Sequence, residues 1–192
     1  MHHTIRLSQM RIGVDLDGVV ADFTQGWTSQ YKLDFDKEIK EEDITEWGLS
    51  KPLTHFEEEI DFWNWAKDFN GSSIFRNLKT YENSIEALLE VSMAGHEVII
   101  ISSKPWWAIS DTLIWLGENK IPSKEIHFLE DKWTIDCDVY IDDAPHQLEN
   151  FVKHVPDKLI LRFVRPYNRP VTGTKDINNW LEFNSLLESY NL

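Results

Sequence analysis

The stretch RIGVDLDGVVADF, Arg11–Phe23, places two carboxylates at the point where an apolar strand is predicted to end. Asp15 and Asp17 are separated by one residue, and Gly18 follows them directly. Two carboxylates at this spacing repel each other, and the arrangement is costly unless a cation or a shared proton relieves it. By itself, the Asp-x-Asp-Gly pattern is as typical of an ordinary turn as of a functional site.

Further apolar runs follow this first one along the chain. Most are apolar on consecutive positions, which is typical of parallel strands that helices cover on both faces. Helical patterns alternate with them, and this alternation predicts a doubly wound α/β sheet. The predicted strands are Met10–Asp15, Glu97–Ser102, Glu125–Leu129, Asp138–Asp142 and Lys158–Val164, and the predicted helices cover residues 84–94, 109–116, 145–153 and 176–189.

Residues 24–77 interrupt the alternation, because they contain no convincing strand. This segment holds four Trp, five Phe and one Tyr, with twelve acidic against six basic residues. Within it, residues 55–69 are predicted to form an amphipathic helix with Phe56, Ile60, Trp63 and Phe69 on one face. A long insertion with its own structure is usually functional. Its aromatic side chains either fill a core or stack on a flat ligand such as a nucleobase.

A second acidic pair, Asp142–Asp143, follows another predicted strand. Both residues could simply cap the helix that starts near Pro145. However, the carboxyl ends of strands in an open α/β sheet form one ligand crevice, so the two acidic pairs are expected to converge there. Hard oxygen ligands of this kind suit Mg²⁺. The sequence therefore predicts a magnesium site among the carboxylates of Asp15, Asp17, Asp142 and Asp143.

Three polar residues are candidates for binding phosphate beside these carboxylates. Ser102 and Ser103 end the most apolar strand, and a hydroxyl with the backbone N–H groups of such a turn can hold phosphate oxygens. Helix capping by Ser103 is the alternative. Lys132 precedes Asp142 by ten residues and would offset the charge of a transferring phosphoryl group, although a lysine is most often a surface residue.

The composition excludes several classes of protein. The chain has 192 residues and a net charge of −14, so it repels phosphate backbones and anionic lipids, and neither a polynucleotide nor a membrane is an expected partner. One cysteine, Cys137, cannot form a disulfide or a cysteine zinc site within one chain. With no signal-like run in residues 1–10 and no membrane span, a cytoplasmic location is expected. A homodimer is left open.

The four elements, in order, resemble the motifs of the haloacid dehalogenase (HAD) superfamily of phosphohydrolases. They are Asp15-Leu-Asp17-Gly, then Ser102, then Lys132, then Asp142-Asp143. More narrowly, the segments DLDGVVADF, IISSKPW and DVYIDDA are similar to the 5'(3')-deoxyribonucleotidase family, including its bacterial and phage members. The segment RFVRPYNRPV is also similar to bacterial and phage relatives, and the resemblance spans about residues 10–185.

This resemblance implies a Rossmann-like three-layer α/β/α core, formed by residues 1–23 and 78–192, with a small helical cap, residues 24–77, inserted after the first strand. It implies a Mg²⁺-dependent phosphatase that forms an aspartyl-phosphate and acts on nucleoside monophosphates. Asp15 would be the nucleophile and Asp17 the general acid and base. The metal ligands would be Asp15, the backbone carbonyl of Asp17, and Asp142 or Asp143.

The resemblance also implies roles for the remaining candidates. Ser102 would bind phosphate, and Lys132 would neutralise charge. Phe23 would line the nucleoside pocket together with Ile74 and Phe75. From its position alone, and not from the resemblance, Trp106 either lines the entrance to the site, because it follows the two serines closely, or packs against the core.

The chain departs from the nucleotidase pattern at three places, and two other functions remain as alternatives. Relatives carry Thr-Ser-Pro where this chain has Ser102-Ser103-Lys104, mammalian members have an arginine shortly before the motif lysine, and a basic residue stands where this chain has Ala144. The alternatives are a phosphatase for another small phosphomonoester and a non-catalytic module that binds Mg²⁺ and a phosphorylated ligand.

Overall fold

A single six-stranded sheet forms the centre of the computed structural model, which describes residues 9–48 and 53–190. The order of the strands across the sheet is β3-β2-β1-β4-β5-β6, and all neighbouring strands are parallel. The predicted α/β class with a parallel sheet is therefore confirmed. The strands are β1 (Arg11–Val14), β2 (Glu97–Ser102), β3 (Glu125–Phe128), β4 (Val139–Asp142), β5 (Leu159–Phe163) and β6 (Lys175–Ile177).

Successive residues of the central strands enter two separate cores, one on each face of the sheet. Val98 and Ile100 of β2 belong to one buried cluster, whereas Ile99 and Ile101 belong to the other. Side chains alternate between the two faces of a strand. A strand that is covered on both faces must therefore be apolar at consecutive positions, which is why these strands are recognisable in the sequence.

In residues 9–48 and 53–190, six α-helices flank the sheet or lie in the insertion after β1. The apolar sides of α3 and α6 belong to one buried cluster, and that of α5 belongs to the other. No helix in the described ranges is both long and apolar enough to cross a membrane. The helices are α1 (Phe23–Phe35), α2 (Glu59–Ala66), α3 (Ser84–Met93), α4 (Ile109–Glu118), α5 (Pro145–His154) and α6 (Trp180–Tyr190).

The last predicted helix, residues 176–189, is wrong at its start. Lys175–Ile177 is the edge strand β6, and α6 begins only at Trp180. The side chain of Asp176 accepts two hydrogen bonds from Arg162 of β5, at 2.8 and 2.5 Å. This charged pair joins the two strands. Because Arg162 lies in a different strand, the pattern of residues 176–189 alone does not reveal it as the partner of Asp176.

The insertion after β1 contains α1 and α2. The helix predicted over residues 55–69 is wrong in extent and face, because α2 is only eight residues long and buries Phe62 and Ala66, while Ile60 is 61% exposed. No helix was predicted where α1 lies. Trp27 of α1 packs edge-on against Phe62, and both belong to the same buried cluster as one face of the sheet. The insertion therefore shares its core with the sheet.

Candidate functional site

The order of the strands reverses between β1 and β4, in the middle of the sheet. In open α/β sheets, ligands bind in the crevice outside the carboxyl ends of the strands at such a point. Asp15 follows β1 directly, and its backbone N–H donates to the carbonyl of Ile141 in β4 at 3.0 Å. Asp142 ends β4, and Asp143 follows it. The two acidic pairs, which are far apart in sequence, are thus brought to the same place.

Three buried carboxylates form the centre of this crevice. Asp15, Asp142 and Asp143 each offer an oxygen, and these oxygens lie within 4.8 Å of one another. Oδ1 of Asp143 is buried and has no hydrogen-bond partner among the described residues, and Oδ1 of Asp15 has the ammonium nitrogen of Lys132 3.0 Å away. Hard, negatively charged oxygens clustered in this way fit a divalent cation such as Mg²⁺. The residues that are present therefore suit the predicted ion.

Burial makes the ionised forms of Asp142 and Asp143 costly. It raises the pKa of Asp142 to about 6, although the ammonium group of Lys132 acts in the opposite direction. Burial and then the charges of Asp142 and Asp15 raise the pKa of Asp143 well above its ordinary value. Asp142 also accepts a hydrogen bond from the backbone N–H of Ala144, at 2.9 Å, in the connection to α5.

Lys132 is buried between two of these carboxylates. Its Nζ lies 3.0 Å from Oδ1 of Asp15 and 2.7 Å from Oδ2 of Asp142. Burial alone would lower the pKa of Lys132, but the charges of Asp142 and Asp15 raise it above the usual lysine value. The alternative of an ordinary surface lysine is wrong, since Lys132 is only 2% exposed.

Asp17 lies on the turn after β1 and forms an ion pair with a buried lysine. Lys104 donates to Oδ2 of Asp17 at 2.5 Å, and its ammonium nitrogen lies 3.6 Å from the ring centre of Phe75. Burial raises the pKa of Asp17, and the charge of Lys104 opposes this shift. Burial lowers the pKa of Lys104, and Asp17 opposes that shift in turn. In the sequence, Lys104 was visible only as a departure from Thr-Ser-Pro.

The segment that follows β5 holds both acidic turns in place. It belongs to the stretch RFVRPYNRPV, which is similar to relatives, but the sequence predicted no role for Arg165 or Tyr167. The hydroxyl of Tyr167 donates to Oδ2 of Asp143 at 2.5 Å, and Arg165 donates to the carbonyl of Gly18 at 2.6 Å. Gly18 has a φ of +73°, and a Cβ at this position would overlap the carboxylate of Asp143. Only glycine fits there without displacing that carboxylate.

The two serines lie on the other side of the crevice, at the end of β2. Ser102 is buried, and the hydroxyl of Ser103 donates to the backbone carbonyl of Leu129 at 3.1 Å. Ser103 does not cap α4, because the residue that precedes this helix is Ala108. Both serines line the cavity described next.

A cavity of about 230 Å³ opens beside the carboxylates. Phe23 and Trp63 form part of its wall, and their rings are stacked with centres 6.1 Å apart. Phe75 stacks on Phe23 at 5.4 Å but does not line the cavity itself, and Ile74 is likewise buried outside the lining. Trp106 is 84% exposed and is also not part of the lining.

The cavity wall combines aromatic and acidic side chains from the insertion with residues from the carboxyl ends of the strands. The carboxylate of Glu59 lines it and accepts a hydrogen bond from the indole N–H of Trp63 at 2.9 Å. On the strand side the lining includes Asp15, Asp17 and Lys132. A ligand in the cavity would therefore meet both aromatic side chains and the carboxylates at the ends of the strands.

Comparison with known proteins supplies relatives for both the sequence and the fold. A family model described as "5' nucleotidase, deoxy (Pyrimidine), cytosolic type C protein" matches residues 9–190. A 5'(3')-deoxyribonucleotidase of Bacillus subtilis is 27% identical over 178 residues, which cover 89% of this chain and 94% of the relative. A putative nucleotidase of Halalkalibacterium halodurans is 26% identical and covers 97% of this chain and 96% of its own length.

Solved structures with this fold include HAD-family hydrolases. A predicted phosphatase from Clostridium acetobutylicum superimposes with a TM-score of 0.64 at 16% identity, covering 95% of this chain and all of that chain (100%). A HAD family hydrolase from Deinococcus radiodurans, with bound phosphate and sodium, has a TM-score of 0.62 at 14% identity, and the match covers 97% of this chain and 98% of that one. The expected Rossmann-like α/β core is therefore confirmed.

Proposed function

The chain belongs to the family of cytosolic type C 5' nucleotidases and is a phosphoric monoester hydrolase, and from this premise we propose that it hydrolyses (deoxy)ribonucleoside monophosphates to a nucleoside and phosphate. One observation carries the proposal. A cluster of three buried carboxylates opens into a cavity with aromatic walls. The cluster suits phosphoryl transfer, and the aromatic faces suit a nucleobase, whose stacking contributes about 1–3 kcal/mol.

Asp15 is the nucleophile in this mechanism. One of its carboxylate oxygens attacks phosphorus in line, a new O–P bond forms, and the bond to the ester oxygen breaks. Asp17 gives its proton to the departing 5' or 3' oxygen of the nucleoside. Asp17 then takes a proton from water as that water attacks the aspartyl-phosphate, which releases phosphate and restores both side chains.

Mg²⁺ is the proposed cofactor. Asp15, the backbone carbonyl of Asp17, and Asp142 or Asp143 would hold it, and the cluster of three carboxylates with the partnerless Oδ1 of Asp143 supports this assignment. When bound, the ion offsets the negative charge that the phosphate ester brings next to these carboxylates. The ammonium group of Lys132, which lies 3.0 Å from Oδ1 of Asp15, offsets part of the same negative charge.

The remaining roles follow from the positions of the side chains. Ser102 and Ser103 are proposed to bind phosphate oxygens together with Lys132, since all three line the cavity beside Asp15. Because the hydroxyl proton of Ser103 is used by Leu129, Ser103 would contribute its backbone N–H. Phe23 is the proposed stacking surface for the base. Ile74, Phe75 and Trp106 do not line the cavity, so a direct role in the nucleoside pocket would require a ligand that reaches past the residues that line it.

The insertion is proposed to act as a cap. Residues 24–77 would form this cap, and residues 1–23 and 78–192 would form the catalytic core. The cavity supports the division, because Trp27 and Trp63 of the insertion line it together with Asp15 and Lys132 of the core. A cap over this cavity would exclude bulk water from the phosphoryl group.

A phosphate-release screen tests the proposed function. Phosphate is measured by malachite green across nucleoside monophosphates and sugar phosphates, with Mg²⁺ or with EDTA. We expect release from nucleotides, reversible loss in EDTA, and no turnover by a folded Asp15→Asn variant. Equal rates on nucleotides and sugar phosphates would remove the nucleotide assignment. Full activity of Asp15→Asn would remove the nucleophile assignment, and binding without release would indicate a non-catalytic module.

A further inference from the structure

We propose that Lys104 is a positioning residue that fixes the carboxylate of Asp17 for proton delivery to the leaving oxygen. The inference rests on the proposed function only in that Asp17 serves as the general acid. Lys104 acts through Asp17 and does not touch the substrate, since it is not part of the cavity lining.

The first support is the burial of the ion pair. The side chain of Lys104 is 2% exposed, and its Nζ donates to Oδ2 of Asp17 at 2.5 Å. Burying an ammonium group is costly, and a buried ion pair is no more stable than an apolar pair of the same volume in many proteins. Stability alone therefore gives no reason for a lysine here. The pair does, however, hold one oxygen of Asp17 in a defined place.

The second support is the state of the other oxygen. Oδ1 of Asp17 is buried and has no hydrogen-bond partner within the described ranges, while Asp17 lines the cavity. Since Lys104 occupies Oδ2, Oδ1 is the oxygen left to exchange a proton with a ligand. An acid that must protonate a leaving group needs to be within hydrogen-bond reach of it, and a small misplacement reduces the rate strongly.

The third support is the contact of Lys104 with the aromatic wall. Its ammonium nitrogen lies 3.6 Å from the ring centre of Phe75, which stacks on Phe23 at 5.4 Å with an interplanar angle of 12°. Phe23 lines the cavity. A cation over an aromatic face is held by the ring's electrostatic field. Lys104 thus links the wall of the nucleoside pocket to the proton donor, and Phe75 keeps the lysine in place.

Leaving-group dependence separates a positioning role from a merely structural one. An alkoxide leaving group needs a proton, so a nucleoside monophosphate depends on Asp17. p-Nitrophenolate leaves without one. The parameter to compare is kcat/KM, because it reports steps up to phosphoryl transfer and is not affected by hydrolysis of the aspartyl-phosphate. A defect in positioning slows only the nucleotide, whereas a general defect in folding or metal binding slows both substrates.

The experiment compares wild type, Lys104→Met, Asp17→Asn and the double variant on deoxynucleoside monophosphates and p-nitrophenyl phosphate. For Lys104→Met we expect kcat/KM to fall about 10- to 100-fold on the nucleotide and less than about threefold on p-nitrophenyl phosphate, within the range of general acid catalysis. The double variant should be no slower than Asp17→Asn, because Lys104 acts through Asp17. Lys104→Arg, which keeps the charge and the donors, should recover most of the nucleotide rate.

Lys158→Met is the matched control, because Lys158 forms ion pairs with Asp136 and Asp138 near the opposite end of β4. It should leave both rates unchanged. If Lys104→Met does not fold, as judged by circular dichroism, Lys104→Gln replaces it in the same comparison. Equal losses on both substrates, or additive losses in the double variant, overturn the positioning role. A wild type that cleaves other alkyl phosphates but no nucleotide overturns the proposed function alone, and the comparison then uses the alkyl phosphate that is cleaved.

Discussion

The buried carboxylate of Asp143 lowers the stability of the folded protein when it is ionised. Its carboxylate is buried beside those of Asp15 and Asp142, and burial and these charges raise its pKa well above the ordinary value. Because the folded protein favours the protonated form of Asp143, the folded state binds this proton more tightly than the unfolded chain does. Stability from this group is therefore lost as the pH rises. The negative charge is useful only when a cation is bound.

Asp143→Asn is expected to stabilise the metal-free protein and to abolish phosphatase activity. The amide keeps the shape and the hydrogen bond from Tyr167 while removing the charge. In EDTA at pH 8 the melting temperature should rise by roughly 2–4 °C, the shift expected for about 1 kcal/mol in a chain of this size. Thermal melts at pH 6 and pH 8 check this prediction, and the difference should be larger at pH 8. A lower melting temperature than wild type would contradict it.

Residues of the site differ in how visible they were in the sequence. The proximity of Asp15 and Asp142 could be predicted from the sequence, because each lies at the end of an apolar run and the carboxyl ends of parallel strands meet. Tyr167 and Lys104 could not. Both lie outside the regular elements, and their partners depend on how the chain folds back rather than on any local periodicity.

At the scale of elements, α1 and β6 show where pattern reasoning fails. β6 has three residues, of which only Ile177 is buried, so no apolar run marks it. α1 buries Thr24, Trp27 and Tyr31, a narrow stripe in a largely polar helix. Its clearest local signal is Asp22, whose carboxylate accepts a hydrogen bond from the backbone N–H of Gln25 at 2.9 Å. An aspartate indicates the start of a helix only when the residues after it already predict a helix.

Replacement of the cap should destabilise α1 measurably. Asp22→Ala removes the acceptor for one of the free N–H groups at the start of the helix, and we expect the free energy of unfolding to fall by about 1 kcal/mol. Urea denaturation checks the value. Leu33→Ala is the control, since Leu33 of α1 is 79% exposed and should change stability by less than about 0.5 kcal/mol. Equal effects of the two changes would contradict the capping role.

His96 joins the start of β1 to the start of β2 and makes this junction sensitive to pH. Its Nδ1 accepts a hydrogen bond from the backbone N–H of Met10 at 3.1 Å, and burial lowers its pKa. The folded protein thus favours neutral His96, whereas the unfolded chain binds a proton near pH 6.5. The stabilising contribution is complete above about pH 6.5 and is lost as the pH falls below it.

His96→Asn tests this junction. The amide oxygen can still accept from Met10 but does not titrate. Between pH 7 and pH 5 the wild type should lose stability relative to the variant, by at most about 1.4 kcal/mol per pH unit. Urea denaturation at each pH measures the difference, in which carboxylates common to both proteins cancel. A constant difference across this range would show that His96 does not titrate differently in the folded and unfolded states.

At the scale of the whole molecule, one crevice combines the ends of two strands with an insertion that shares its core with the sheet. The fold class was predictable because strands buried on both faces are apolar throughout. The shape of the cavity was not, since it depends on α1 and on the loop that carries Trp47. Neither has a periodicity that specifies where it packs.

Mg²⁺ should stabilise the whole protein, because its ligands come together only in the folded state. At a concentration one hundred times the dissociation constant, binding adds about 2.7 kcal/mol to the free energy of unfolding. The melting temperature should therefore rise by roughly 5–10 °C in Mg²⁺ and return to its original value in EDTA. Asp143→Asn should show a much smaller rise. Identical melts with and without Mg²⁺ would contradict a site built from the three carboxylates.

The central position of β1 has a consequence for biosynthesis. β1 pairs with β2 on one side and with β4 on the other, and both partner strands are translated after it. Between Asp15 and Asp143 the ribosome adds 128 residues (143 − 15), which takes roughly 6–26 s at about 5–20 residues per second. Throughout that interval β1 lacks one of its two partner strands, and its apolar edge stays open to other chains.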